Sequence, residues 1–234
     1  MESTDISQAE RDGAAYSPRL LAVYDLRVLK VNCRFVWRCG TRHTLALYNR
    51  HISADHLDIG TGTGWHLCHA TYPVEHPRVT LVDLNRNSLD ETSRRLRRRG
   101  IDPETRVGTV LQPLPIDRRF GSVSSTYLMH CVPGGWDKKG KAFQHIADVV
   151  ADNGVFFGAT VLDSGVPHTA LSRAEMRRLR ARGMFHNESD DLTGLVYALE
   201  RAFESVDVGT RGSVALWTAR QPRRAVDEGT TEPH

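Results

Sequence analysis

With 234 residues, 40% of them hydrophobic and 25% charged, the chain has the size and composition of one soluble α/β domain with additions. Its net charge of +3 neither demands nor forbids an acidic partner. No apolar run approaches membrane-spanning length and no signal peptide opens the chain, which argues against a membrane protein and for the cytoplasm.

The four cysteines, Cys33, Cys39, Cys68 and Cys131, lack C-x-x-C spacing, so neither a zinc ribbon nor a redox pair is expected. His56, His66, His69 and His76 crowd one stretch. None stands in H-E-x-x-H or related spacing, and no metal site is expected.

Residues 1–15 are polar and irregular and are expected to be disordered. From Ser17-Pro18 the apolar spacing predicts a helix, and a second apolar segment spans 31–48 with a break at Gly40. An apolar run over 54–59 predicts the first strand. Gly60, Gly62 and Gly64 then alternate ahead of a helix over 64–70. Glycine allows a tight turn on which a ligand can lie directly against the backbone. Free N–H groups at a helix start favour an anionic group. Residues 79–82 predict the second strand, closed by Asp83. A carboxylate there can accept hydrogen bonds from ribose hydroxyls, or it can simply cap the next helix.

The helix predicted over 88–99 carries Arg94, Arg95, Arg97, Arg98 and Arg99, and Gly100 stops it. Such a run is a nucleic-acid patch or, more commonly, a solvated face; no aromatic interleaving accompanies it. Strands are predicted over 106–111, 122–127 and 155–160, the last after an Asn153-Gly154 turn. Helices are predicted over 138–150, 173–182 and 192–203. A hairpin pairs 205–208 with 213–219. Residues from 220 onward are polar and expected to be disordered.

The glycine spacing separates two chemistries. A dinucleotide turn, G-x-G-x-x-G, needs glycine where Trp65 stands, and there is no Tyr-x-x-x-Lys, so a nicotinamide oxidoreductase is disfavoured. The stretch His-Leu-Asp-Ile-Gly-Thr-Gly-Thr-Gly has the form D-x-G-x-G-x-G, and here the chain resembles the class I S-adenosylmethionine (SAM)-dependent methyltransferases. Residues 127–134 (Tyr-Leu-Met-His-Cys-Val-Pro-Gly) and 152–158 resemble, more narrowly, the small bacterial and fungal O-methyltransferases of secondary metabolism.

The resemblance implies a Rossmann-like α/β fold with a seven-stranded, mostly parallel sheet whose last strand is antiparallel. It also implies a helical lid over 16–50, a SAM-binding core over 51–219 and a tail over 220–234. The cofactor would be SAM, leaving S-adenosylhomocysteine. Its binding residues would be Asp58, Gly60, Thr61, Gly62, Gly64, Asp83, Leu84, Asn85, Thr109, Val110 and Tyr127. Thr109 stands where relatives often have an Asp that contacts the adenine amino group; its hydroxyl, a backbone group or Gln112 would take that role.

Methyl transfer from a sulfonium is an in-line displacement, so the protein must align nucleophile and methyl and keep water away. A phenol or alcohol needs a base, whereas a carboxylate needs only positioning. His130, just past the fourth strand, is the candidate base or orienting donor, with a structural histidine as the equal alternative. Arg34, beside Trp37, is a candidate clamp for an acidic acceptor, or a surface ion-pair partner; Tyr24 and Trp37 are candidate pocket aromatics, or core. The expected partner is a small-molecule acceptor, with a carboxylate or hydroxyl oxygen receiving the methyl. Alternatives are an RNA methyltransferase and a non-methylating protein on the same fold. A homodimer is the default assembly.

Overall fold

A computed structural model describes residues 33–224. The expected helix after Ser17 and the first half of the lid lie outside the described residues. The described chain begins with a one-turn π-type coil at Cys33, closed by a Cys39 N–H to Cys33 carbonyl bond of 2.7 Å. Helix α1 follows over Thr41–His51, with Gly40 as its N-cap, so the expected break at Gly40 is a helix start. The rest runs β1 (Asp55–Ile59), α2 (Trp65–His69), β2 (Arg78–Asp83), α3 (Arg86–Arg97), β3 (Glu104–Val107) and β4 (Phe120–Thr126). A 3₁₀ turn over Met129–Cys131 then leads to α4 (Trp136–Val149), β5 (Val150–Val161), α5 (Ala170–Arg180), α6 (Leu192–Ala202), β6 (Phe203–Arg211) and β7 (Val214–Pro222).

The seven strands form one sheet in the order β3-β2-β1-β4-β5-β7-β6. All neighbours pair parallel except β7, which runs antiparallel to both β5 and β6. The order reverses at β1, so the crevice beside its carboxyl end is where an open α/β sheet receives ligands. Among the described residues no helix is long and apolar enough to cross a membrane.

Side chains alternate across β1 and β4, as the strand period of two requires. Leu57, Ile59 and Val123 enter the core with α4 and α6, including Phe143, Ile146 and Leu199, and the irregularity between Phe120 and Ser122 lets Phe120 join them. His56, Asp58, Ser122 and Ser124 face the opposite way, toward Tyr48 of α1. That second face is therefore polar at its centre, although α1, α2 and α3 close it with an apolar cluster of Tyr48, Leu67, Leu81, Leu89 and Phe157. A third cluster joins Cys33, Val36, Trp37 and Cys39 to Val161, Met176, Phe185 and Val214. The described part of the expected lid thus packs into the domain.

Three expectations shift. Strand β3 lies earlier than predicted, ending at Val107, because Thr109 Oγ1 accepts the Leu111 N–H (3.2 Å) and turns the chain out of the sheet. The Asn153-Gly154 step is a bulge inside β5: between the Phe120–Val150 and Ser122–Val155 pairs, β4 advances two residues and β5 five. The expected tail at 220 is instead the end of β7. Strand pairing continues to Pro222, and Arg224 donates to the carbonyls of Ala147 and Val150 and to Asp152.

Candidate cofactor and acceptor cleft

A cleft opens at the carboxyl ends of β1, β2 and β4. Its floor is the glycine turn. Gly60, Gly62 and Gly64 all hold positive φ, at 74°, 55° and 68°, a region that costs side-chain-bearing residues about 1 kcal/mol or more. At Gly60 a Cβ would stand 3.0 Å from Leu128, and at Gly64 it would stand 2.5 Å from Thr92. Gly64 does not line the cleft; its role is to let α3 pack against the start of α2. That helix has five residues, so its aligned peptides sum to little dipole, and the expected anion site at its N-terminus is not built.

Of the sequence-predicted cofactor residues, Gly60, Thr61, Gly62, Asp83, Leu84, Asn85, Thr109, Val110 and Tyr127 line the cleft together. Asp58 does not. It lies beneath the turn, where its Oδ2 accepts from Tyr48 Oη (2.7 Å) and Ser124 Oγ (2.6 Å). Asp83 Oδ1 accepts the Asn85 N–H at 2.8 Å, and Oδ2 reaches the Gly62 N–H at 3.5 Å. Burial pushes the Asp83 carboxyl up from 3.8 to about 6, against the lowering pull of the Asn85, Gly62 and Thr61 amides. The helix cap belongs to the neighbour: Asn85 Oδ1 accepts the Asn87 N–H. Asp83 is therefore free of capping and turned to the cleft.

The other wall comes from the segment after β4. Tyr127 takes φ 63°, a left-handed kink held by its N–H on the Ala159 carbonyl at 2.7 Å. Its hydroxyl is buried beside the thiols of Cys33 and Cys39, which burial pushes up to about 12 and about 11; both stay protonated and inert. The 3₁₀ turn that follows brings residues three apart onto one side. Leu128 and Cys131 face the cleft with Val132 and Pro133, while Met129 and His130 turn inward and are buried.

That turn corrects the reading of His130 as a base. Its ring lies outside the cleft lining, 4.2 Å from the Phe185 ring. Nδ1 accepts the Val161 N–H at 3.3 Å and lies 3.2 Å from Thr160 Oγ1. Burial, with the nearby Lys139 charge adding to it, pushes His130 down to about 3. A neutral ring with an occupied acceptor nitrogen is a structural histidine.

The acceptor residues expected near the N-terminus also shift. Arg34 is exposed, its guanidinium 5.7 Å from the Phe35 ring. Trp37 is buried, stacked on Phe185 at 5.7 Å, and does not reach the cleft. Tyr24 lies outside the described residues. In their place the structure brings in Trp65, His66, Ser88, Thr126 and Met184.

Met184 arrives on a loop that a fully buried ion pair secures. Lys139 Nζ donates to both Asp190 oxygens (2.9 and 2.7 Å) and to the His186 carbonyl (2.9 Å). Trp136 Nε1 donates to the Asp191 carbonyl at 3.0 Å, and the His186 N–H donates to the His130 carbonyl at 2.7 Å. The histidines crowded in sequence are dispersed. His56 is sealed within the sheet, His66 lines the cleft and bonds Thr44, and His69 stacks on Trp65.

Comparison with known proteins places this geometry. A family model described as a methyltransferase domain matches residues 57–154. The chain is 44% identical over 216 residues to a demethylluteothin O-methyltransferase of Streptomyces thioluteus, covering 92% of this chain and 93% of that protein. It is 37% identical to a physcion biosynthesis cluster O-methyltransferase of Aspergillus chevalieri, covering 93% and 98%. Among solved structures, a DhpI complex with S-adenosylhomocysteine aligns with a TM-score of 0.63 at 19% identity, covering 94% and 98%, which shows a shared fold.

Proposed function

Because this chain belongs to the class I SAM-dependent methyltransferases, we propose that it methylates a hydroxyl oxygen of a small, largely apolar metabolite. The observation that carries the reading is the facing of two unlike walls: Asp83 and the glycine turn on one side, and Leu128, Cys131, Val132, Pro133 and Met184 on the other. The first wall suits a ribose and a polar chain, the second an apolar acceptor.

The residues present fit the cofactor. A Cβ at Gly60 would close the cradle, and the Asp83 carboxyl is turned to the cleft beside two amide donors. Asp83 would accept the ribose hydroxyls, Leu84 and Val110 would flank the adenine, and Thr109 would offer it a hydroxyl. When bound, SAM supplies a methyl already activated on a sulfonium. The chain's own work is then alignment and exclusion of water. An acidic hydroxyl, a phenol or enol, would enter as its anion with its proton already lost to water, so that the chain needs only to align the oxygen, His130 being turned away from the cleft.

A hydroxyl is favoured over a carboxylate because the expected clamp, Arg34, is exposed and sits on Phe35. A small molecule is favoured over RNA because four of the five arginines in the run over 94–99 serve their own fold. Arg94 and Arg95 pair with Glu91, Arg97 pairs with Asp102, and Arg99 donates to the Leu67 and Ala70 carbonyls. The test is incubation with methyl-labelled SAM and matched panels of phenols, enols and carboxylic acids. Label in the hydroxyl panel and not in the acids is expected; label only in acids, or in RNA, overturns the reading.

A further inference from the structure

The polar seam inside the sheet has no role in the chemistry described so far, yet it ends in two hydroxyls that converge on one carboxylate oxygen. Ser124 Oγ gives its single hydrogen to Asp58 Oδ2 at 2.6 Å. It must therefore receive the Nε2–H of His56, 3.0 Å away. His56 Nδ1 lies 2.8 Å from Ser122 Oγ, whose hydroxyl donates to Ser53 Oγ at 2.9 Å. Ser122 Oγ in turn receives the Ser53 N–H at 2.8 Å. The seam is continuous from Ser53 through Ser122, His56 and Ser124 to Asp58, and its last two bonds, His56 to Ser124 and Ser124 to Asp58, point at the carboxylate. Tyr48 Oη adds a second donor to the same oxygen at 2.7 Å. His56, Ser122 and Ser124 are fully buried, and Tyr48 and Asp58 nearly so.

A buried carboxylate is costly unless donors compensate it. Hydrogen bonds aligned head to tail polarise one another toward the charge they end on. Here two converging hydroxyls hold one Asp58 oxygen, and Asp58 stands two residues before the first cradle glycine. Tyr48 also reaches the cleft by its ring, stacked on cleft-lining His66 at 5.0 Å with planes 11° apart.

We propose that Tyr48 and the His56–Ser124 pair are positioning residues for cofactor binding: they fix the Asp58 carboxylate, and Asp58 fixes the glycine turn. The inference rests on the methyltransferase reading. It assigns to α1 a direct part in cofactor affinity, transmitted through one hydroxyl.

The test is calorimetric titration with S-adenosylhomocysteine on the full chain. Wild-type binding is the control, and its failure would count against the methyltransferase reading itself. Tyr48→Phe and Ser124→Ala should each weaken binding about tenfold. In an Asp58→Asn background the same substitutions should cost less than about twofold, because the charge they serve is gone. His56→Leu should weaken binding like Ser124→Ala. His56→Gln, whose amide can still donate to Ser124 Oγ, should restore it to within about threefold. Equal losses in the wild-type and Asp58→Asn backgrounds, or wild-type affinity in both Tyr48→Phe and Ser124→Ala, would overturn the proposal. If one of those variants fails to fold, the other is read through the same cycle.

Discussion

The two walls of the cleft are built in opposite ways. The cofactor wall is local: residues 60–63 and 83–85 lie at the carboxyl ends of two adjacent strands, and backbone does most of the work through left-handed glycines and the amides around Asp83. The acceptor wall is assembled from afar. The segment after β4 and the loop after α5 meet through the buried Lys139–Asp190 pair and the His186 N–H bond to the His130 carbonyl. A wall made of backbone turns tolerates little change and serves every member of a fold. A wall made of side chains on joined loops can be altered without touching the cofactor, which is how one fold serves many acceptors.

Breaking the junction of the acceptor wall should have the largest effect. Lys139→Met leaves a buried carboxylate without its partner and should lower unfolding free energy by ~3–5 kcal/mol, read by denaturant titration. The double variant Lys139→Met/Asp190→Leu should recover most of that loss, since an apolar pair of similar volume is well tolerated.

On the cofactor wall, the raised pKa of Asp83 sets up a trade-off. Its folded value of about 6 lies above the ordinary 3.8, so folding favours the neutral carboxyl. That stabilisation is complete below pH 3.8 and is lost as pH rises through about 6. At pH near 7.5, Asp83→Asn should therefore raise stability by ~1–3 kcal/mol while weakening the cofactor. In the wild type, S-adenosylhomocysteine affinity should fall as pH drops below about 6, where Asp83 gains a proton and loses an acceptor oxygen.

A smaller effect separates the walls. Met184→Ala should raise the acceptor KM roughly threefold to tenfold and leave S-adenosylhomocysteine affinity within about twofold, because it removes apolar contact on one side only. His130→Gln should cost stability yet keep the shape of the pH–rate profile from roughly pH 5.5 to 8.5, as expected of a ring that never titrates there. The smallest effect belongs to Arg34→Ala, which should change stability and acceptor KM by no more than ~0.5 kcal/mol equivalent.

The same contrast explains what could be read in the sequence. The glycine turn, Asp83 and the closing hairpin are carried by spacing and by residue types that few other structures want. The acceptor wall is not. His130 does follow β4, but a 3₁₀ turn decides which of residues 128–131 face the cleft, and no local pattern reports that phase. Met184 lies more than fifty residues from Cys131 in the chain, and they are brought together by the buried Lys139–Asp190 pair and the His186–His130 backbone bond, both of long range. Asp58 was legible as part of the loop motif, but its place beneath the turn was not. That place follows from Tyr48, His56 and Ser124, which join three separate elements. A signal was present in hindsight: His56 and the serines of β4 interrupt strands otherwise destined for burial, and buried polar residues in a central sheet need each other.

The most direct measurement is calorimetric titration of the wild type and of Asp83→Ala with S-adenosylhomocysteine at pH near 7.5. A wild-type Kd on the order of micromolar, weakened about a hundredfold by Asp83→Ala, is the predicted result. Absence of wild-type binding, or equal affinity in the two proteins, would contradict the assignment of this cleft to the cofactor.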